Sequence, residues 1–164
     1  MENLRYNAGK AVDYAHRWAY KRNPQYYNFD AIGGDCTNFV SQCLYAGSQV
    51  MNYKPDFGWY YISAANRAAA WTGVEYLHNF LINNDGAGPF GSLVDISQIK
   101  PGDIIQLKFD ADNYGHSLLV VSAGKMTRLR DIKVATHTMD ADNRPLSSYT
   151  FSEMRCIHIE GVNA

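Results

Sequence analysis

The chain has 164 residues, a length that suits one domain with its own core, and residues 1–164 read as a single unit. Fifteen Lys and Arg stand against 16 Asp and Glu, so no charge surplus draws nucleic acid or an anionic membrane. No apolar run is long enough to span a bilayer. The start, Met1 to Tyr6, lacks the basic and apolar regions of a secretory signal, which leaves a cytoplasmic protein, a phage-type lysin and a piece of a secreted bacterial protein all open.

Residues 6–21 predict a helix, because Ala11, Tyr14, Ala15, Trp18 and Ala19 fall on one face. Asn23-Pro24 ends it. A loop rich in Tyr and Asn leads to Gly33-Gly34. Phe39, Val40, Cys43, Leu44 and Gly47 then share a second helical face, with Asp35 as its N-cap, so Cys36 falls in the first turn of a buried helix. Residues 48–73 read as irregular. Val74, Leu77, Phe80 and Leu81 predict a helix from about Gly73 to Asn83, stopped by Asn84-Asp85-Gly86. Pro101-Gly102-Asp103 is a turn, and strands follow over 104–107, 116–121, 132–138 and 156–159. Helices first and strands after predict an α+β fold, a helical half packed on an antiparallel sheet.

The three cysteines, Cys36, Cys43 and Cys156, are too few and too odd in number for a disulfide framework. Cys43 and Cys156 sit inside apolar patterns and read as core. Cys36 differs: a helix N-terminus favours the thiolate, the reactive form, by its unpaired N–H groups and its dipole. Asp35 beside it works against that shift. His116 opens a strand after the polar stretch Asp110 to Gly115, a position from which it can take the Cys36 proton and return it to a leaving amine. If strands 116–121 and 132–138 form a hairpin around Gly124, His137 lies opposite His116 or one step away. It can then hold the second ring nitrogen of His116, with Asp140 as the other candidate for that role. Cys36, His116 and His137 come from separate elements without paired spacing, which argues against zinc. No phosphate loop, serine elbow or metalloprotease motif is present, and no cofactor or metal is expected.

Three segments together resemble the amidase domain family within the papain-like cysteine cell-wall hydrolases, related to NlpC-type endopeptidases and to the cysteine-, histidine-dependent amidohydrolase/peptidase domains. They are Asp35-Cys36-Thr37-Asn38-Phe39-Val40-Ser41-Gln42, Lys100-Pro101-Gly102-Asp103-Ile104-Ile105 with the His116 strand after it, and Thr136-His137-Thr138. Asn23-Pro24-Gln25-Tyr26 and Ala70-Trp71-Thr72 are similar to the same family. The resemblance spans about residues 6–160. It implies a papain-like, NlpC-like fold with the nucleophile helix against an antiparallel sheet. It also implies amide hydrolysis through an acyl-thioester on Cys36, in peptidoglycan or a related peptide, with His116 and His137 completing the catalytic set. Asp35, Tyr26, Tyr27, Trp59 and Trp71 are the expected substrate-binding residues, Tyr26 or Tyr27 as a second oxyanion donor. An inactive cell-wall or peptide binding module and a cysteine acyltransferase of the same fold remain as alternatives. Which amide is cut and the oligomeric state are not readable from these residues.

Overall fold

The computed structural model describes residues 1–110, 112–124 and 128–164. Helix α1 spans Ala8–Trp18, shorter than its apolar periodicity suggested. Asn7 sets its start by accepting the Lys10 N–H at 3.1 Å, the usual way an N-cap satisfies a first-turn donor. Ala11 and Ala15 form its buried face. Helix α2 runs from Cys36 to Ser48, and every residue but Tyr45 and Ala46 is buried. It is the spine of the helical layer. Gly47 lets the chain entering α1 lie directly on α2, where a Cβ would come within 2.6 Å of the Tyr6 ring. A single turn, α3 (Ala69–Thr72), precedes α4 (Val74–Asn83), which buries Leu77, Phe80 and Leu81.

The strands are β1 (Asn3–Leu4), β2 (Gly88–Val94), β3 (Ile104–Lys108), β4 (His116–Ser122), β5 (Lys133–Thr136), β6 (Ala141–Pro145) and β7 (Glu153–Asn163). They form one seven-stranded sheet in the order β1-β7-β3-β4-β5-β6, with β2 also paired to β7. The pairings are antiparallel. The α+β layout with an antiparallel sheet is therefore as the element order implied. Three strands escape sequence reading: the two-residue β1, β2 and β6. Gly88-Pro89-Phe90-Gly91 looks like a loop, yet it pairs with β7 through a bulge at Phe90/Gly91. A Cβ on Gly91 would meet the His158 carbonyl oxygen at 2.4 Å, so the glycine is what lets the two backbones close. β6, Ala-Asp-Asn-Arg-Pro, has no strand propensity and is recruited only as the edge partner of β5.

The sheet carries a core on each face, divided by side-chain alternation. Leu119, Val121, Ile104, Ala135, Ile157 and Ile159 pack with Phe39, Val40, Leu44, Leu77 and Leu81 of the helices. Leu118, Val120, Ile105, Leu107 and Val134 form the second core with Ile132 and Leu146. Each fully buried Leu or Ile contributes about 1.5–3 kcal/mol. The β4–β5 hairpin pairs Leu119 with Ala135 and Val120 with Val134, one step from the register that would set His137 opposite His116. β5 ends at Thr136, so His137 falls beyond it. The connection after Gly124 includes residues 125–127, which lie outside the described residues.

The Pro101-Gly102-Asp103 turn closes against the start of α1. Gly102 has φ +91°, and a Cβ there would come within 2.7 Å of the Ala8 Cβ. Gly102→Ala combines a left-handed backbone, costing about 1–2 kcal/mol, with overpacking, costing about 1–3 kcal/mol. Urea denaturation should show a loss in that combined range; a loss under about 0.5 kcal/mol would mean the turn relaxes freely.

Candidate active site

Cys36 is the first residue of α2, and only 7% of its surface is exposed. Asp35 stands at the N-cap position, but its side chain makes no cap bond. It reaches backward and sideways instead, accepting the Phe29 N–H at 2.8 Å, the Asn38 Nδ2–H at 2.9 Å and the His137 Nδ1–H at 2.5 Å. The expected capping role is thus replaced by a tie between α2 and the segment after β5. The first-turn N–H groups of α2 are left without a carboxylate over them.

The sulfur of Cys36 faces the backbone N–H groups of Ser117 and Thr37 and lies 3.8 Å from the Thr37 hydroxyl. Behind it runs a polar chain. Arg155 Nε donates to Gln106 Oε1 at 2.8 Å, Gln106 Nε2 donates to Ser117 Oγ at 3.2 Å, and Ser117 Oγ and Thr37 Oγ1 are 2.9 Å apart. With the Gln106 amide so oriented, Ser117 donates to Thr37, and Thr37 is free to donate toward the sulfur. Burial nevertheless dominates. It raises the Cys36 thiol above its ordinary range despite these hydrogen bonds, and the Asp35 charge adds to the rise. A thiolate favoured by the helix N-terminus, as the sequence suggested, is therefore not the resting state.

His116 does not complete the expected pair. Ser117, Leu119 and Val121 point toward α2, whereas His116 is in phase with Leu118 and Val120 of the opposite core. Its ring lies near Phe109 and Tyr149, with centroids at 6.3 and 6.1 Å, and its Nε2 is 3.5 Å from the Thr136 hydroxyl. Among the described residues no hydrogen bond joins it to Cys36. Burial, with the Arg144 charge behind it, lowers its pKa to about 4, so the ring is neutral at pH 7.

His137 does not orient His116 either. Its Nδ1 bonds Asp35 and its Nε2 lies 2.8 Å from the Trp18 carbonyl oxygen, while its ring stacks on Phe39 at 4.1 Å. Both ring nitrogens thus face hydrogen-bond acceptors. Burial works to raise the Asp35 carboxyl, but the hydrogen bonds from His137, Asn38 and the Phe29 N–H outweigh it and hold its pKa low. Asp140, the alternative third residue, is bound to Arg22 at 2.9 Å. Arg22 also pairs with Asp30 and comes within 3.6 Å of Asp35.

The expected substrate groove is corrected as well. Trp59 and Trp71 are fully buried and donate from Nε1 to Ser41 Oγ and Asn38 Oδ1, so they are core. Asp35 is equally enclosed. Tyr26 packs on Trp71 and Tyr61, and burial pushes its phenol up to about 12. Tyr27 is half-exposed; its N–H donates to Tyr61 Oη at 2.8 Å, its carbonyl accepts from Asn38, and its ring lies edge-on to Phe29. Cys43 and Cys156 belong to the two cores. Thr37, Ser117 and Gln106, absent from the expected set, are the side chains behind the sulfur. Their only trace in the sequence is that polar residues alternate with apolar ones where the strands cross α2.

Residues 5–159 match the family model described as "Putative amidase domain". Over 125 residues the chain is 32% identical to the uncharacterized protein YhbB of Bacillus subtilis (strain 168). That match covers 74% of this chain and 39% of the relative, so the chain spans less than half of that protein's length. No solved structure matches the chain.

A histidine held near pKa 4, against about 6.5 in the unfolded chain, makes stability depend on pH. The unfolded state takes the proton first. Stability is therefore complete above about pH 6.5 and falls as the pH drops to about 4, by about 3 kcal/mol. Urea midpoints of the parent and His116→Gln at both ends of that window should differ by this amount; equal losses would mean the ring is not held neutral. His137→Leu strands the buried Asp35 charge and should cost about 3–5 kcal/mol; a loss under about 1 kcal/mol in thermal or urea unfolding would show that the pair carries little.

Proposed function

The chain belongs to this amidase domain family, and from that premise we propose that it hydrolyses amides through Cys36, in a papain-like, NlpC-like arrangement, on peptidoglycan or a related peptide. The observation that carries the reading is the N-terminus of α2. Asp35 turns its carboxylate away from the first turn, and the Ser117 N–H reaches the sulfur. Donors there can stabilise both a thiolate and an oxyanion.

His116 is the proposed base. Its backbone precedes the Ser117 N–H that faces Cys36, so its Cα lies close to the sulfur although its ring is turned away. Catalysis requires the ring to leave the neighbourhood of Phe109 and Tyr149. Gly115 in front of it has open space where a Cβ would stand, but its N–H donates to the Leu107 carbonyl at 3.0 Å, so that turn has to break or carry with it the last bond of the β3–β4 ladder. The Cys36 S–H proton then passes to His116 as sulfur bonds the amide carbon. The C–N bond breaks, and His116 gives the proton to the leaving amine. Water surrenders a proton to His116 and attacks the thioester, releasing acid and restoring the thiol. An amine in place of water would make the same site an acyltransferase. His137 acts in this scheme as a positioning residue, holding Asp35 and with it the start of α2.

One observation favours a second reading. A buried un-ionised thiol with its histidine turned away also suits a fold that binds a peptide or wall fragment without cleaving it. Release of free amine from peptidoglycan fragments separates the two. Cys36→Ser and His116→Ala should each lower turnover by about 10²-fold or more with little change in fragment binding. Turnover that survives Cys36→Ser would sink the cysteine mechanism, and binding without any amine release from the parent would leave the binding module.

A further inference from the structure

A second site lies away from Cys36. A cleft of about 490 Å³ opens between the loop after Asn52 and one flank of α4, within the range of about 300–1,000 Å³ typical of small-molecule sites. None of its lining residues belongs to the groups around the sulfur. Gly58, Ala70 and Phe80 contribute to its lining. Two exposed aromatic residues, Phe57 at 78% and Tyr76 at 61%, line it together with Asn79 and Asn83.

The cleft is preformed. Asn52 and Trp59 exchange both backbone hydrogen bonds, and Asn52 Oδ1 accepts the Lys54 N–H at 2.9 Å. Asn84 Oδ1 accepts the Gly86 N–H, and its Nδ2 donates to the Ala87 and Pro89 carbonyls. Asn52 and Asn84 are thus spent on holding the walls. Asn79 and Asn83 are exposed; Asn79 Oδ1 lies 3.0 Å from His78 Nδ1 and Asn83 Nδ2 donates to the Asn79 carbonyl at 2.8 Å, so the other amide atom of each, Asn79 Nδ2 and Asn83 Oδ1, has no hydrogen bond among the described residues, and the lining carboxylates Asp56 and Asp85 make no ion pair there.

We propose that this cleft binds a saccharide. A sugar ring presents an apolar C–H face and an edge of hydroxyls. Exposed aromatic faces suit the first, and neighbouring amides, which donate and accept, with carboxylates, which accept, suit the second. Among the described residues no group of three or more metal-ligating side chains converges to hold a cation. A peptide strand would look for an unpaired sheet edge, whereas these walls are a helix flank and a loop closed on itself.

The test is a titration of the full chain with N,N'-diacetylchitobiose, followed by amide resonances, with maltose and an N-acetylated dipeptide as comparison probes. Shifts are expected around residues 54–58 and 76–86 with at least one of the two sugars. Tyr76→Ala and Phe57→Ala should each weaken binding about 3- to 10-fold. Both side chains are exposed, so folding is checked by the unchanged remainder of the spectrum. Cys36→Ser should leave the titration as it is, so that failure of the amidase reading and failure of this site are told apart. Binding of the dipeptide alone, sugar shifts that survive both aromatic substitutions, or no shift at the cleft with either sugar would each overturn the proposal.

Discussion

The buried pair between Asp35 and His137 holds the helical layer to the sheet at the one place where chemistry is proposed. Both side chains are almost wholly enclosed, so the attraction between them is weakly screened, and breaking it leaves a charge in a low dielectric. The ties radiate from there. Asp35 fixes Phe29 and Asn38, and Asn38 fixes Tyr27 and Trp71. His137 fixes the end of α1 through the Trp18 carbonyl. The segment after β5, the loop before α2 and the last turn of α1 are thereby set by one carboxylate and one imidazole.

That arrangement gives the N-terminus of α2 an unusual character. A carboxylate at an N-cap normally satisfies the first turn, but this one is directed to other partners. The donors of the turn remain directed at the thiol and at the space in front of it. Against this stands burial, which keeps Cys36 protonated. The two effects oppose each other at the same sulfur, and in the free protein burial wins. Ligand contacts that stabilise a developing negative charge would shift that balance. The polar chain from Arg155 through Gln106, Ser117 and Thr37 ends 3.8 Å from the sulfur.

The two faces of the sheet explain why the histidines part company. β4 sends Ser117 to the helices and His116 to the opposite core, because a strand alternates its side chains without regard to their chemistry. A one-residue difference in phase separates a ring that touches Cys36 from one that rests near Tyr149. His137 escapes the alternation because β5 has ended. Thr138 and Met139 follow in left-handed conformations, at φ 64° and 60°, and the turn carries the His137 ring onto Phe39.

Local pattern was enough for much of the scaffold. The apolar spacing of Phe39, Val40, Cys43 and Leu44 placed a buried helix directly after Asp35, short apolar runs placed β3 and β4, and alternation of Ile132 and Val134 placed β5. The Pro-Gly-Asp turn and the core character of Cys43 and Cys156 were legible for the same reason, since each depends on neighbours within a few residues. β2 and β6 were hidden because their backbones are stabilised by partners distant in the chain and not by their own residues. The site was hidden for a related reason. The partner of His137, the side of the sheet that His116 faces and the burial of Trp59 and Trp71 all depend on register and on which layers meet. The sequence by itself determined that a cysteine would begin a buried helix beside an antiparallel sheet. Only the tertiary structure decided what surrounds its sulfur, because burial and hydrogen-bond partners are properties of the packed layers and not of any one segment.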